Sequence, residues 1–344
     1  MIRKALITLA VTLTAVSAAA VAIDKRIIGG EEAKGGDFPF IVSIGSSAEG
    51  LSSHICGGAL LDNTTVLTAA RCLRDAYYVR AGTKLTEHEQ DMSKSAVVGK
   101  LDFVVAHPDY KRGPPRRGHF PSAVNDIAIL KLSTPIQQSE SNKIQYATLP
   151  EDDSDPLVNS IAVTAGWGEQ VSLERGVYQD DKLQKIEIPV RPLEDCSDVT
   201  PDAANRDTKI CAGGDGKNVF RFDSGGPLID QDGRLIGVAL AGSFDMQNPS
   251  IYTKVGSYMP FIKQYLGPVS NPDPTARPIT EAREEELRPG ISLREEIQKH
   301  CEKFPENILD CISAAGDCKG LRKPDGDMVE VFQCIDKKLD DTLQ

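Results

Sequence analysis

Thr65-Val66-Leu67-Thr68-Ala69-Ala70-Arg71-Cys72 opens as a β-branched run and closes on small residues and a cysteine. Such a run suits a pleated, half-buried surface. Comparable short runs lie on both sides of it, at Phe40-Ile41-Val42-Ser43-Ile44, Tyr77-Tyr78-Val79-Arg80, Asp126-Ile127-Ala128-Ile129-Leu130 and Ile161-Ala162-Val163-Thr164. Leu228 to Ile236 reads as a hairpin with Asp232-Gly233 at its turn. Many evenly spaced short strands between Phe38 and Tyr252 predict an all-β sandwich or barrel. Val255, Met259, Phe261-Ile262 and Leu266 then recur at helical spacing up to the stop signal Gly267-Pro268, so a helix closes this region.

Beyond it the composition changes. Pro268, Pro272, Pro274 and Pro278 fall in a polar stretch, and a charged run from Glu281 to Arg288 follows, so residues 268–290 read as a linker. In residues 291–344 apolar and cysteine positions return at helical spacing, at Leu293, Ile297 and Cys301, at Ile308 and Cys311-Ile312, and at Val331, Cys334-Ile335 and Leu339. These predict a small helical tail. The 344 residues thus divide into about two domains.

With 40% hydrophobic residues the chain is not disordered throughout. Its formal charge of −11 argues against nucleic acid or an anionic membrane as partner, because both need clustered Lys and Arg. The exception is local: Lys111, Arg112, Arg116 and Arg117 stand in one loop, which could attract an anionic partner or simply be solvated and open to nicking. Met1-Ile2-Arg3-Lys4, an apolar run from Ala5 to Val16 and Ser17-Ala18-Ala19-Ala20 have the form of a secretory signal peptide over residues 1–20. The run is too short to span a bilayer. Export makes disulfides the expected state of Cys56, Cys72, Cys196 and Cys211, and of Cys301, Cys311, Cys318 and Cys334. No C-x-x-C or His-x-His pairing offers zinc spacing, so neither metal nor cofactor is expected. The last four cysteines allow three pairings, of which Cys301–Cys334 around Cys311–Cys318 suits antiparallel helices.

Lys25-Arg26 precedes Ile27-Ile28-Gly29-Gly30, Cys56-Gly57-Gly58 lies near Leu67 to Cys72, and Asp223-Ser224-Gly225-Gly226-Pro227 comes late. Asn125-Asp126-Ile127-Ala128, Ala165-Gly166-Trp167-Gly168 and Ile251-Tyr252-Thr253-Lys254-Val255 complete an ordered set. From about Ile27 to Gly267 the chain resembles the trypsin-like serine proteases of the chymotrypsin fold. Gly36 to Val42 is most similar to their fungal branch. The resemblance implies two six-stranded antiparallel Greek-key barrels with a C-terminal helix, a short propeptide over residues 21–26 and a protease domain over residues 27–267. It also implies disulfides Cys56–Cys72 and Cys196–Cys211.

Such enzymes use a serine nucleophile, a histidine base and an aspartate that steadies the imidazole. By motif Ser224 matches the nucleophile and Asp126 the aspartate, but the histidine position holds Arg71. A guanidinium stays protonated and cannot take the serine proton. Losing that histidine costs roughly a million-fold in turnover in subtilisin. Neighbouring positions depart as well. Phe222 stands where a glycine donates to the oxyanion, and Phe220 replaces a cysteine whose partner is also missing. Asn218 replaces the pocket acid, Leu240-Ala241-Gly242 replaces Ser-Trp-Gly, and Ser250 replaces a pocket-wall glycine. None of His54, His88, His107, His119 and His300 occupies the base position.

Other features are kept. Cleavage after Arg26 would free an α-amino group on Ile27, and Asp223 matches the carboxylate that receives it. Asn63-Thr64-Thr65 is an acceptable glycosylation sequon. Together these imply a secreted, extracellular serine protease homolog, non-catalytic through Arg71, that acts on a protein partner as inhibitor, decoy or cofactor. The competing reading is a serine endopeptidase of weak or unorthodox activity on a polypeptide substrate, and a third places function in the tail.

Overall fold

The computed structural model describes residues 30–46, 54–84, 96–113, 123–172, 176–179, 182–197, 207–241, 247–267, 277–278, 333–334 and 337. The chain divides into two units, Met1–Ile279 and Thr280–Gln344. In the second unit Gln333, Cys334 and Lys337 are helical and Cys334 is disulfide-bonded. Cys301, Cys311 and Cys318 lie outside the described residues, as do the leader and the helices expected around those cysteines.

In the first unit twelve strands form two barrels. The first contains β1 (Ile41–Gly45), β2 (His54–Leu60), β3 (Thr65–Thr68), β4 (Tyr78–Ala81), β5 (Val97–Ala106) and β6 (Ala128–Leu132). The second contains β7 (Ile161–Gly166), β8 (Gln184–Arg191), β9 (Lys209–Ala212), β10 (Pro227–Ile229), β11 (Leu235–Ala241) and β12 (Ser250–Lys254). All pairings are antiparallel, and the first sheet closes in the cyclic order β1-β2-β3-β6-β5-β4. The second closes in the equivalent order β7-β8-β9-β12-β11-β10. Closure removes the unpaired edges that an open sheet leaves.

The strands form where side-chain period and environment agree. β8 alternates, with Gln184, Ile186, Ile188 and Val190 buried and their neighbours turned outward. β1 and β6 are buried at every position, because the outer side of the barrel is covered too. The expected strand from Asp126 begins only at Ala128. Asn125 adopts φ 52° and accepts a hydrogen bond from Ile127 N at 2.9 Å, a turn that delays the ladder. The hairpin loop is longer than an Asp-Gly pair alone would give: Asp230 N bonds Arg234 O at 3.0 Å, and Gly233 supplies φ 79°. The closing helix is likewise shorter than its apolar spacing suggested, a 3₁₀ turn at Val255–Tyr258 followed by α1 (Met259–Lys263).

Tyr258, Phe261 and Tyr265 return to the core of the first barrel. There Lys131 Nζ donates to the carbonyls of Tyr265 at 3.0 Å and Gly267 at 2.9 Å. Arg277–Pro278, within the stretch read as linker, pair with Val104 and Phe103 at the edge of β5. A proline is tolerated at an edge, where its missing N–H breaks no ladder bond.

Candidate active site

The barrels share a buried cluster that includes Trp167, Leu183, Ile229, Leu235 and Val238, and at the Ser224 turn they also touch through backbone. Gly57 N on β2 donates to Ser224 O at 2.9 Å. Gly225 turns at φ 82°, and a Cβ there would stand 2.2 Å from Thr68 Oγ1. Only glycine lets the Ser224 turn approach the first barrel so closely.

Arg71 lies in the 3₁₀ helix Ala70–Arg74 at the end of β3, beside the Cys56–Cys72 disulfide. Asp126 lies in the turn before β6, and β3 pairs with β6, so residues 55 apart come together. Asp126 Oδ1 accepts Arg71 N at 2.9 Å, and Oδ2 accepts Arg71 Nε at 2.5 Å. The carboxylate is fully buried and the arginine side chain is 15% exposed. Thr253 on β12 donates its hydroxyl to Asp126 O at 3.1 Å, which anchors the turn from the second barrel. The Tyr110 phenol is half-buried, and burial raises its pKa. Asp126 adds to that rise while Arg71 and Arg112 oppose it.

Ser224 Oγ donates to Leu240 O at 3.3 Å. No imidazole serves it among the described residues. His107 packs against Tyr258 and Phe261. His54 is buried, with Nδ1 2.8 Å from Ser43 Oγ and Nε2 3.0 Å from Phe222 O. A carbonyl only accepts, so Nε2 carries the proton and Ser43 donates to Nδ1. Desolvation pushes the His54 pKa down to about 4, against the pull of the Phe222 carbonyl. His88, His119 and His300 lie outside the described residues.

Phe222 itself adopts φ 68°, a left-handed conformation that costs a non-glycine residue about 1–2 kcal/mol. The next residue, Asp223, is buried and accepts Gly168 N at 2.8 Å and Phe220 N at 2.9 Å. Burial raises its pKa to about 7, and those two amides pull against the rise. A Cβ on Gly166 or Gly168 would fall 2.1 or 2.3 Å from this carboxyl group, so both positions must stay bare. Arg26 and Ile27 lie outside the described residues.

The position matched to the specificity pocket, Asn218, is buried and hydrogen-bonded. Asn218 and Ser250 are both fully buried, and Ser250 Oγ donates to Asn218 Oδ1 at 2.9 Å. Asn218 Oδ1 also accepts Gly214 N at 3.1 Å, and Asn218 Nδ2 donates to Asn248 O at 2.8 Å. The Leu240 side chain is buried with Ile251 against the Cys196–Cys211 disulfide. Two surface depressions of about 510 and 660 Å³ are lined by other residues, with none of Arg71, Asn218 and Ser224 among them. The described residues contain no cluster of His, Cys, Asp and Glu able to hold a metal ion. None of their helices is long and apolar enough to cross a membrane.

Residues 27–262 match the family model for trypsin. The chain belongs to the trypsin family. It is 32% identical over 251 residues to the venom peptide isomerase heavy chain of Agelenopsis aperta, covering 67% of this chain and 96% of that one. Phenoloxidase-activating factor 3 of Holotrichia diomphalia is 29% identical over 267 residues, covering 70% and 72%. Mast cell protease 3 of Ovis aries is 30% identical over 252 residues, covering 72% and 91%. A solved structure of neuropsin, a serine protease expressed in the limbic system of mouse brain, superposes with a TM-score of 0.57 at 24% identity, over 69% of this chain and 99% of that one, which bears on the fold alone. These three relatives are animal proteins, so the likeness of Gly36 to Val42 to the fungal branch rests on that motif.

Within this trypsin-family domain, motif positions named from sequence come together: Arg71 with Asp126, Ser224 with Leu240, and Asn218 with Ser250. Sequence reading did not find the capture of His54 by Ser43 and Phe222. No pattern in the sequence relates these three positions, which the strand register and the Ser224 turn bring together.

Proposed function

We propose that this trypsin-family chain is an exported, non-catalytic protein that binds another protein and acts as inhibitor, decoy or cofactor. The observation that carries the reading is the seating of the Arg71 guanidinium on Asp126, in the place of a general base. Hydrolysis needs a group that takes the Ser224 proton, and a permanent cation cannot take it. One relative is named a peptide isomerase, and proton abstraction from a peptide would meet the same obstacle. Asn218 supports the reading independently, since its amide, held by Ser250, offers no carboxylate to select a basic substrate side chain. Export is supported by the leader-like residues 1–20 and by two disulfides in the barrels. Cleavage after Arg26 would place the Ile27 ammonium near Asp223 and serve folding rather than catalysis. Breaking such a buried bridge costs about 3–5 kcal/mol. The four tail cysteines are proposed to pair among themselves.

A second reading, weak endopeptidase activity, is favoured by the retention of Ser224 and Asp126. Labelling the processed protein with a serine-reactive fluorophosphonate, beside an active trypsin-like control, separates the two. No label is expected. Labelling together with peptide turnover that vanishes in Ser224→Ala would overturn the non-catalytic reading.

A further inference from the structure

We infer that Asn63 carries an N-linked oligosaccharide, and that it is attached before the C-terminal helix docks. The inference rests on the export reading above. Asn63-Thr64-Thr65 has the acceptor form, in the turn that joins β2 to β3. Asn63 is partly exposed, and its carboxamide makes no hydrogen bond among the described residues. Its backbone is fixed, since Asn63 O accepts Ile136 N at 2.7 Å.

The threonine of the acceptor sequence is sealed. Thr65 is fully buried, and its hydroxyl lies 2.9 Å from Asp62 Oδ2 and 3.0 Å from Tyr265 O as donor. Lys131 Nζ donates to the Thr65 hydroxyl oxygen at 2.8 Å. Gly267 N caps Asp62 Oδ2 at 2.7 Å. Tyr265 and Gly267 follow Thr65 by 200 and 202 residues, so this seal forms only once the last turn of the domain exists and has packed. Until then the Thr65 hydroxyl is open to water and to a transferase. Afterwards the hydroxyl that defines the acceptor sequence cannot be reached, although Asn63 remains at the surface. The order of synthesis therefore provides the window for modification.

In the transfer, Asn63 Nδ2 attacks the anomeric carbon of a lipid-linked diphosphate oligosaccharide. A C–N bond forms as the C–O bond to the diphosphate breaks. The nitrogen gives up one proton, and the lipid diphosphate departs as the anion. The product lies at the start of β3, whose other end leads to Arg71, so the sugar would leave the Ser224 cleft uncovered.

The test is expression of the full chain in a glycosylating, secreting cell, with mass analysis before and after peptide-N-glycosidase. Expected are a mass shift assigned to Asn63, its loss in Asn63→Gln, and its retention in Thr65→Ser, which keeps a hydroxyl. Chain made without glycans and folded should resist a microsomal transferase, whereas the same chain reduced and denatured should accept sugar. An exported chain that has lost residues 1–20 yet carries unmodified Asn63 overturns the site and leaves the export reading standing. A chain that keeps its leader and stays inside the cell overturns export, and the site with it. Equal modification of folded and denatured chain overturns the timing.

Discussion

Arg71 grips Asp126 twice, through its backbone N at 2.9 Å to Oδ1 and its guanidinium Nε at 2.5 Å to Oδ2. A titrating imidazole on the same carboxylate would have an acid–base cycle, and the guanidinium has none. The ion pair is thereby part of the barrel's stability.

Removing one member of this buried pair leaves an uncompensated charge, a loss of about 3–5 kcal/mol. Arg71→Ala and Asp126→Asn are each expected to lower the midpoint of urea unfolding accordingly. The double variant is expected to lose less than the sum of the two, because it strands no charge. Additive losses would mean that the pair contributes no coupling.

Arg71→His is expected not to restore efficient proteolysis. Phe222 still occupies the position matched to an oxyanion donor, and losing one such donor costs about a hundred- to a thousand-fold in turnover. Arg71→His with Phe222→Gly should exceed the single reversion on a broad peptide library. If Arg71→His alone cleaves near the rate of an active trypsin-like enzyme, the changes at Phe222 and Asn218 do not limit catalysis.

Two buried groups give opposite pH dependences. His54, with its pKa near 4 against the ordinary 6.5, is protonated first in the unfolded chain, so stability falls as pH drops from 6.5 to 4, by about 3 kcal/mol in all. Asp223, with its pKa near 7 against 3.8, is protonated first in the folded chain, so stability falls as pH rises from 3.8 to 7, by about 4 kcal/mol. The uncleaved protein is therefore expected to show a nearly flat stability between pH 4 and 6.5. Asp223→Asn should unmask a rise with pH, and His54→Gln a fall. Cleavage after Arg26 should act like Asp223→Asn, because a docked ammonium favours the ionised carboxylate. Urea titrations across this range measure all four slopes.

Giving the Asn218 position the means to hold a cation takes two changes. Ser250→Gly removes the hydroxyl on Asn218 Oδ1, and Asn218→Asp supplies a carboxylate for a cation. An aromatic amidinium probe is expected to bind the double variant and not the parent, by fluorescence titration. Ser250→Ala should cost about 1 kcal/mol, since Asn218 Oδ1 keeps its bond from Gly214 N.

Limited proteolysis is expected to cut between Ile279 and Pro289 and release two folded pieces. The cut should fall after Pro278, because Arg277–Pro278 are held on β5. A disulfide map linking Cys301, Cys311, Cys318 or Cys334 to a barrel cysteine would contradict separable units.

Read as sequence, the chain already contained its barrels, its family and its missing base. Alternating runs such as Gln184–Arg191 encode a strand within eight residues, and Ala70-Arg71-Cys72 displays the absent histidine whatever surrounds it. Where a local preference met a special backbone, the boundary moved, as at Asn125, whose left-handed turn took two residues from the strand expected after Asp126. What those residues do to one another was settled only by folding. The ion pair joins positions 55 apart, the bond between Ser250 and Asn218 spans 32 positions, and the bond between His54 and Phe222 spans 168. Barrel register selects such partners, because strands bring together side chains that no local pattern relates. Burial then moves the titration of His54 down and of Asp223 up, so Asp126 could be named from its motif while the states of these two groups required the tertiary structure.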